Sequence, residues 1–402
     1  MNTLPLTRPE ARTAGAAQGL ALIFAAALPT MAIVSLVPNL PQLFAHFGAT
    51  PHAEWLVPMI ITLPSLCIAL FSPLIGNLID TWGRRPVMLA SLALFMAVGV
   101  LPYAMEDLTW VLVTRFFVGI AEAGILAAQN ALMGDYFAGA RRQRWLGLLS
   151  VISPVVAATF VLAGGALGAI DWHAPFLLYL TGAPMLAWAA ISLHEPVRER
   201  TAAAAEVATA GPFPWATARG VALVTVGVSI LYFVQAVQLG RVFHEHGVAS
   251  PAAIGLHVTI ASAGVFLGGV VFTRLAGMRM PTRFALMFAS LGAGYLGLGL
   301  APNAGTVLAC ALVAQFGNGL AIPVLIGWAL DRFGAAHRGR GMGIWGACFF
   351  VGTFLSPPLL TALTGLTGSL LGAVAGVGAG CLVLAGVVFA LRGRQPGLAP
   401  IR

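Results

Sequence analysis

Twelve runs of roughly 20 apolar residues, divided by short breaks that collect nearly all of the charge, leave this chain few ways to fold. A run of that length spans the hydrocarbon core of a bilayer as a helix. The runs fall at about 18–44, 54–76, 86–105, 109–134, 144–169, 174–193, 219–241, 251–274, 283–302, 305–330, 341–364 and 369–391. With 59% hydrophobic and 8% charged residues, a water-soluble domain could not cover its own surface. The expectation is an all-α integral membrane protein of twelve transmembrane helices, embedded in the lipid bilayer, without a cleaved leader.

Charge sets the orientation. The 21 basic residues are all arginines, and apart from Arg115 and Arg241 they fall in the termini or in every second loop. Arg8, Arg12, Arg84, Arg85, Arg141 to Arg144, Arg198 to Arg219, Arg274 to Arg283, Arg332 to Arg340 and Arg392 to Arg402 then share one face. The positive-inside rule makes that face cytoplasmic, with both termini on it, in the cell (inner) membrane. The net charge of +8 is thereby topological, and no nucleic-acid partner is expected. Cys67, Cys310, Cys348 and Cys381 lie scattered within apolar spans and read as small core residues.

A polar, Ala- and Pro-bearing break at 194–218 follows six spans, dividing the chain into a first six-helix bundle (1–193), a linker and a second bundle (219–402). Asp135, Phe137, Arg142, Arg144 and Gly147 recur 196 residues later as Asp331, Phe333, Arg338, Arg340 and Gly343, so the halves read as copies. Pro38, Pro41, Pro154, Pro323, Pro357 and Pro358 are candidate bends.

The break after the second span reads Gly76-Asn77-Leu78-Ile79-Asp80-Thr81-Trp82-Gly83-Arg84-Arg85-Pro86, a tight charged connection in which Gly76 and Gly83 are expected to let the backbone turn. It resembles the loop between the second and third helices of the major facilitator superfamily of transporters. Gly76, Asp80, Gly83, Arg84 and Arg85 match in register, and Thr81 stands where a basic residue is usual. The resemblance implies two parallel six-helix repeats working by alternating access, with Asp80 and Arg84, and Asp135 and Asp331 beside Arg142, Arg144, Arg338 and Arg340, latching the inner gate. The second copy of the turn, around Phe272 to Pro281, keeps Arg274 and Arg279 without an Asp.

Glu122 is the one acid near the middle of a span. An ionised carboxylate at bilayer depth costs roughly 2.5–3.5 kcal/mol on insertion scales, so a carboxyl that meets water on alternate sides is suited to carry a proton. Arg115 lies seven residues earlier, on the same helical face but about 10 Å along the axis, which makes a bridging substrate or water easier to picture than a direct pair. The stretch Arg115 to Ala123 resembles the fourth-helix signature of spinster-like lipid transporters and anion:cation symporters, which implies coupling or substrate-binding roles for Arg115 and Glu122. The first span offers Asn39 and Gln42 where those relatives carry an Asp. A fifth-helix antiporter motif is kept in small residues, Leu149, Ser153-Pro154 and Ala157-Ala158, without its glycines, and favours export.

Gln129, Asn130, Tyr232, Gln235, Gln238, His257, Gln315 and Asn318 are candidate substrate contacts, Asn318 standing at the repeat position of Glu122. His244-Glu245-His246 lacks zinc-helix spacing, so no metal site is expected. Nor is an enzyme, since no His, Asp and Ser groups cluster at one depth. With no phosphate-binding loop, no cofactor is expected and an ion gradient supplies the energy. The sequence thus predicts a monomeric, proton-coupled exporter of small organic molecules. Import of an organic anion through Arg115, or lysolipid carriage, are the alternatives.

Overall fold

A computed structural model describes residues 14–196, 212–275, 277–334 and 337–391. The expected arginines at 8, 12, 198, 200 and 392–402, and most of the expected linker, lie outside them. Among the described residues twelve helical segments are long and apolar enough to cross a membrane. The first is bent: α1 (Ala16–Val34) gives way to a 3-10 turn at Val37–Asn39 and then α2 (Leu40–Phe47). There follow α3 (Ala53–Trp82), α4 (Arg84–Gly99), α5 (Leu108–Tyr136), α6 (Gly139–Gly168) and α7 (Gly182–Ser192), the last entered through a 3-10 stretch at Ala174–Thr181. The second set is α8 (Trp215–Glu245), α9 (Pro251–Arg274), α10 (Met280–Leu300), α11 (Ala304–Arg332), α12 (Arg338–Thr367) and α13 (Leu370–Leu391).

Several sequence expectations are corrected. The charged connection at 76–86 is not a ten-residue turn, because α3 stays helical through Gly76 and Asp80 to Trp82 and a single residue, Gly83, breaks the backbone at φ +100°. That left-handed angle is open to glycine and strained for other residues. Of the candidate prolines, Pro38 and Pro41 sit where α1 gives way to a 3-10 turn and α2, and Pro154, Pro323, Pro357 and Pro358 lie inside helices that continue on both sides of them. Neighbouring helices in a bilayer can satisfy the carbonyl a proline frees. The expected linker is also shorter at its far end, since α8 begins at Trp215.

The repeat extends to the helix starts. Asp107 accepts hydrogen bonds from the backbone N–H groups of Thr109 and Trp110 at 2.8 and 3.2 Å, starting α5. At the same 196-residue offset, Asn303 accepts from Thr306 N at 3.0 Å and starts α11. Side-chain oxygens in these places satisfy donors that the first turn leaves open.

One apolar core is drawn from Ala14 to Leu193 with Phe233 and Val237 added, and a second from Val228 to Ala385 with Val161 added. The seam between them runs through α3 against α12 and α6 against α9. On the face away from the arginine-rich loops the seam is tight. A Cβ placed on Gly165 of α6 would lie 2.6 Å from the Pro251 carbonyl, and one on Gly240 of α8 would lie 2.6 Å from the Val37 carbonyl. Arg241 stacks over Phe44 of α2 at 4.3 Å, and Thr361 Oγ1 donates to the Glu54 carbonyl at 3.3 Å. The halves are thus packed closely together on that face.

Candidate transport site

The middle of the first half is built on α5. Its small residues let α3 approach: a Cβ on Gly119 would fall 2.5 Å from Cys67 Cβ and 2.6 Å from the Pro64 carbonyl. Arg115, Glu122 and Gln129 recur at seven-residue spacing along the buried side of this helix, and the first two have no exposed surface. Seven residues is close to two turns, so the three side chains are stacked about 10 Å apart.

They are not equivalent. Arg115 is fully engaged: Nη1 donates to the Tyr179 hydroxyl at 2.7 Å, Nη2 to the Gly99 carbonyl at 3.1 Å and Nε to Thr114 Oγ1 at 3.3 Å. The rings of Phe176 and Tyr179 lie 5.1 and 4.8 Å from its guanidinium carbon. It therefore knits α4, α5 and the stretch before α7 together. The expectation that Arg115 offers itself to a substrate carboxylate is corrected by this enclosure. Glu122 is the opposite case, because neither of its carboxylate oxygens has a hydrogen-bond partner. A buried carboxylate without a partner is costly when charged. Gln129 is buried too and its Nε2 donor is unmatched, whereas Asn130 is exposed.

In the second half the matching depth is amide-lined and largely self-satisfied. Gln235 Nε2 donates to the Ala311 carbonyl at 2.9 Å, Asn318 Nδ2 to Gln315 Oε1 at 3.0 Å and, more weakly, to the Tyr232 carbonyl at 3.4 Å. Gln235 Oε1 and Asn318 Oδ1 are left as acceptors. The Tyr232 ring packs on Phe233 and Phe349. Two other candidates are drawn elsewhere: Gln238 Oε1 accepts from Arg241 Nη1 at 3.2 Å near the face where the seam is tight, and His257 Nδ1 lies 2.7 Å from the Ala253 carbonyl with its ring against Phe243. Asn39, in the bend after α1, donates to the Ser35 and Gly164 carbonyls at 3.1 and 3.0 Å, so it pins α6 rather than pairing with Glu122.

At the arginine-rich face the gate residues take partners that the sequence did not suggest. Arg84 forms an ion pair with Asp135 at the end of α5. Glu195, a residue beyond α7, accepts from the backbone N–H groups of Arg84 and Arg85, each at 2.8 Å, and so caps α4. The Arg85 side chain donates to the Leu193 and Ala190 carbonyls at 2.8 and 2.9 Å, and the Tyr136 hydroxyl donates to the His194 carbonyl. Asp135 is thus engaged by Arg84 rather than by Arg142 or Arg144. In the second half Arg338 Nε donates to the Phe333 carbonyl at 3.3 Å, and Arg340 stacks over Phe213 and Trp215 at 4.5 and 5.0 Å. Asp80 and Asp331 are exposed. Tyr179, Glu195 and Tyr136 were missed from sequence because each acts across more than 50 residues of chain.

The model of the Major Facilitator Superfamily matches residues 22–236 and 220–400. The chain belongs to the major facilitator superfamily. It is thus a multi-pass membrane transporter with the all-α twelve-helix fold. Among curated superfamily members, the class C tetracycline resistance protein of Escherichia coli is 27% identical over 351 residues, covering 84% of this chain and 87% of that protein. The class G tetracycline resistance protein of Vibrio anguillarum is 34% identical over 165 residues, 40% of this chain and 37% of that one. Among solved superfamily structures, a bacterial homolog of the human lysosomal transporter Spinster, inward-facing and occupied, superposes with a TM-score of 0.71 at 17% identity, covering 94% of this chain and 96% of that chain. The nucleoside transporter NupG superposes at 0.75 with 12% identity, covering 93% and 100%. These two likenesses speak for the fold.

Proposed function

We propose that this transporter expels small, drug-like organic molecules in exchange for protons, with Glu122 as the proton-carrying group. The observation that carries the reading is the state of Glu122: buried at the middle of α5, with both oxygens unmatched. Such a carboxyl is stable when protonated and must be opened to water to release its proton, so the proton moves when the halves rearrange. The tetracycline resistance relatives supply the substrate class, and the enclosure of Arg115 argues against organic-anion import. The arginine-rich face is then cytoplasmic. Each half works as one rigid bundle, with α1–α7 in the first and α8–α13 in the second, around a monomer's central site. Gln129, Gln235, Gln315 and Asn318 meet the substrate, and the Arg84–Asp135 pair with Asp80, Gly83 and Arg85 sets the balance between states.

Flux of tetracycline in proteoliposomes tests this. An imposed pH gradient drives accumulation against the direction of proton flow in the wild type, and Glu122→Gln abolishes it while leaving a monodisperse, folded protein. Co-directional movement of drug and protons would overturn the exchange reading.

A further inference from the structure

Away from the seam between the halves, α1, α6 and α7 enclose a crevice of about 450 Å³. Its walls are Phe24 and Leu28 of α1, Val156 and Phe160 of α6, and Met185 and Trp188 of α7. Two hydroxyls border it and both are spent locally: Thr159 donates to the Val155 carbonyl at 3.0 Å and Thr181 to the Leu178 carbonyl at 2.6 Å. No hydroxyl in its walls is left without a partner. The volume falls within the roughly 300–1,000 Å³ of sites that hold small organic ligands.

The same helix carries the charge. Arg141, Arg142 and Arg144 stand exposed at the start of α6. Arg141 marks the mouth of the α1–α6 seam, with Nη2 donating to the Ala14 carbonyl at 2.6 Å and the guanidinium 5.2 Å over Phe137. Phe160 is 18 residues beyond Arg142, five full turns, so both face the same side of α6, whereas Arg144, two residues on from Arg142, faces the opposite side. Val156, at 14 residues, is about 21 Å along the axis. That is half of the roughly 40–45 Å thickness of a bilayer with its headgroups. A basic cluster at one membrane surface is thus joined to an apolar crevice one leaflet below it.

We propose that this flank binds one anionic phospholipid of the leaflet at the arginine-rich face, its phosphate on Arg142 beside Arg141 and the end of one acyl chain in the crevice. Basic pockets between helices recognise anionic headgroups in this way. Because α6 also forms the seam with α9, the bound lipid braces a helix that must move when the halves rock. This site is separate from the drug path and does not rest on the efflux reading.

The test is quenching of Trp188 fluorescence by lipids brominated at the chain end, in nanodiscs. The signal is isolated as the difference between wild type and Trp188→Phe, because the chain has nine tryptophans. Expected is saturable quenching that reaches half-maximum at an about fivefold lower mole fraction for phosphatidylglycerol than for phosphatidylcholine, the preference gained from one arginine near the surface. Arg142→Gln removes that preference, whereas Arg144→Gln, on the opposite side of α6, keeps it. Native mass spectrometry of the unmutated protein, which needs no variant to fold, is expected to retain one phosphatidylglycerol. Quenching that rises in proportion to mole fraction alike for both headgroups, or a protein that retains no lipid, overturns the proposal.

Discussion

The two halves share a backbone plan and differ in where they place charge. At a constant offset of 196 residues, Asp107 in the first half becomes Asn303 in the second, Arg115 becomes Ala311, Glu122 becomes Asn318 and Arg84 becomes Met280. The caps still cap, since an amide oxygen accepts from a helix N-terminus as a carboxylate does. Packing is conserved by exchange: Gly99 and Arg115 in one half answer to Tyr295 and Ala311 in the other. The large group thus comes from α5 in the first half and from α10 in the second, where the Tyr295 hydroxyl donates to the Leu231 carbonyl at 2.5 Å. The comparison teaches that shape is duplicated while the buried Arg115 and Glu122 of α5 have only the uncharged Ala311 and Asn318 as counterparts in the second half.

That contrast can be broken at graded levels. The largest effect is expected at Glu122, where Glu122→Gln eliminates gradient-driven drug flux, while Asn318→Ala lowers it only several-fold; flux assays in proteoliposomes compare them directly. Next is Arg115→Ala, which empties a buried site and strands the Tyr179 and Gly99 oxygens, costing about 3 kcal/mol or more. It should appear as a large fall in thermal midpoint by size-exclusion stability assay. Gly99→Ala tests the exchange of bulk, because its Cβ would overlap the Tyr179 ring. Overpacking of this kind costs about 1–3 kcal/mol, whereas Ala311→Gly in the other half should cost less. The smallest stability change is expected for Asp135→Asn, which breaks a partly exposed ion pair worth about 0–1 kcal/mol. Its effect should instead show as a shifted ratio of open to closed states in distance measurements between labels on α6 and α12.

Much of the fold was readable because membrane insertion punishes exceptions: apolar length gave the spans, and the isolation of Glu122 gave the candidate proton site. What could not be read is pairing between distant segments. Nothing near Arg115 announces Tyr179, 64 residues away, as its partner, so enclosure by an aromatic pair looked like availability to a substrate. Similarly, Glu195 reads as a linker residue until the fold sets it against the start of α4. The gate turn was overestimated because charge within 76–86 suggested a loop, while a helix that emerges at the membrane surface carries Asp80 and Thr81 without breaking. Polar residues such as Gln238 and His257 share the composition of a binding site, yet their hydrogen bonds run within their own helices, to Arg241 and to the Ala253 carbonyl, a distinction set by neighbours and not by residue type.

The central claim is that one carboxyl, Glu122, carries the proton and that its neutral counterpart, Asn318, does not. The most direct measurement is proton release on drug addition to purified protein in weakly buffered solution, followed by a pH dye. The account predicts release from wild type and from Asn318→Ala once the drug is saturating, and none from Glu122→Gln. Undiminished release from Glu122→Gln would contradict it.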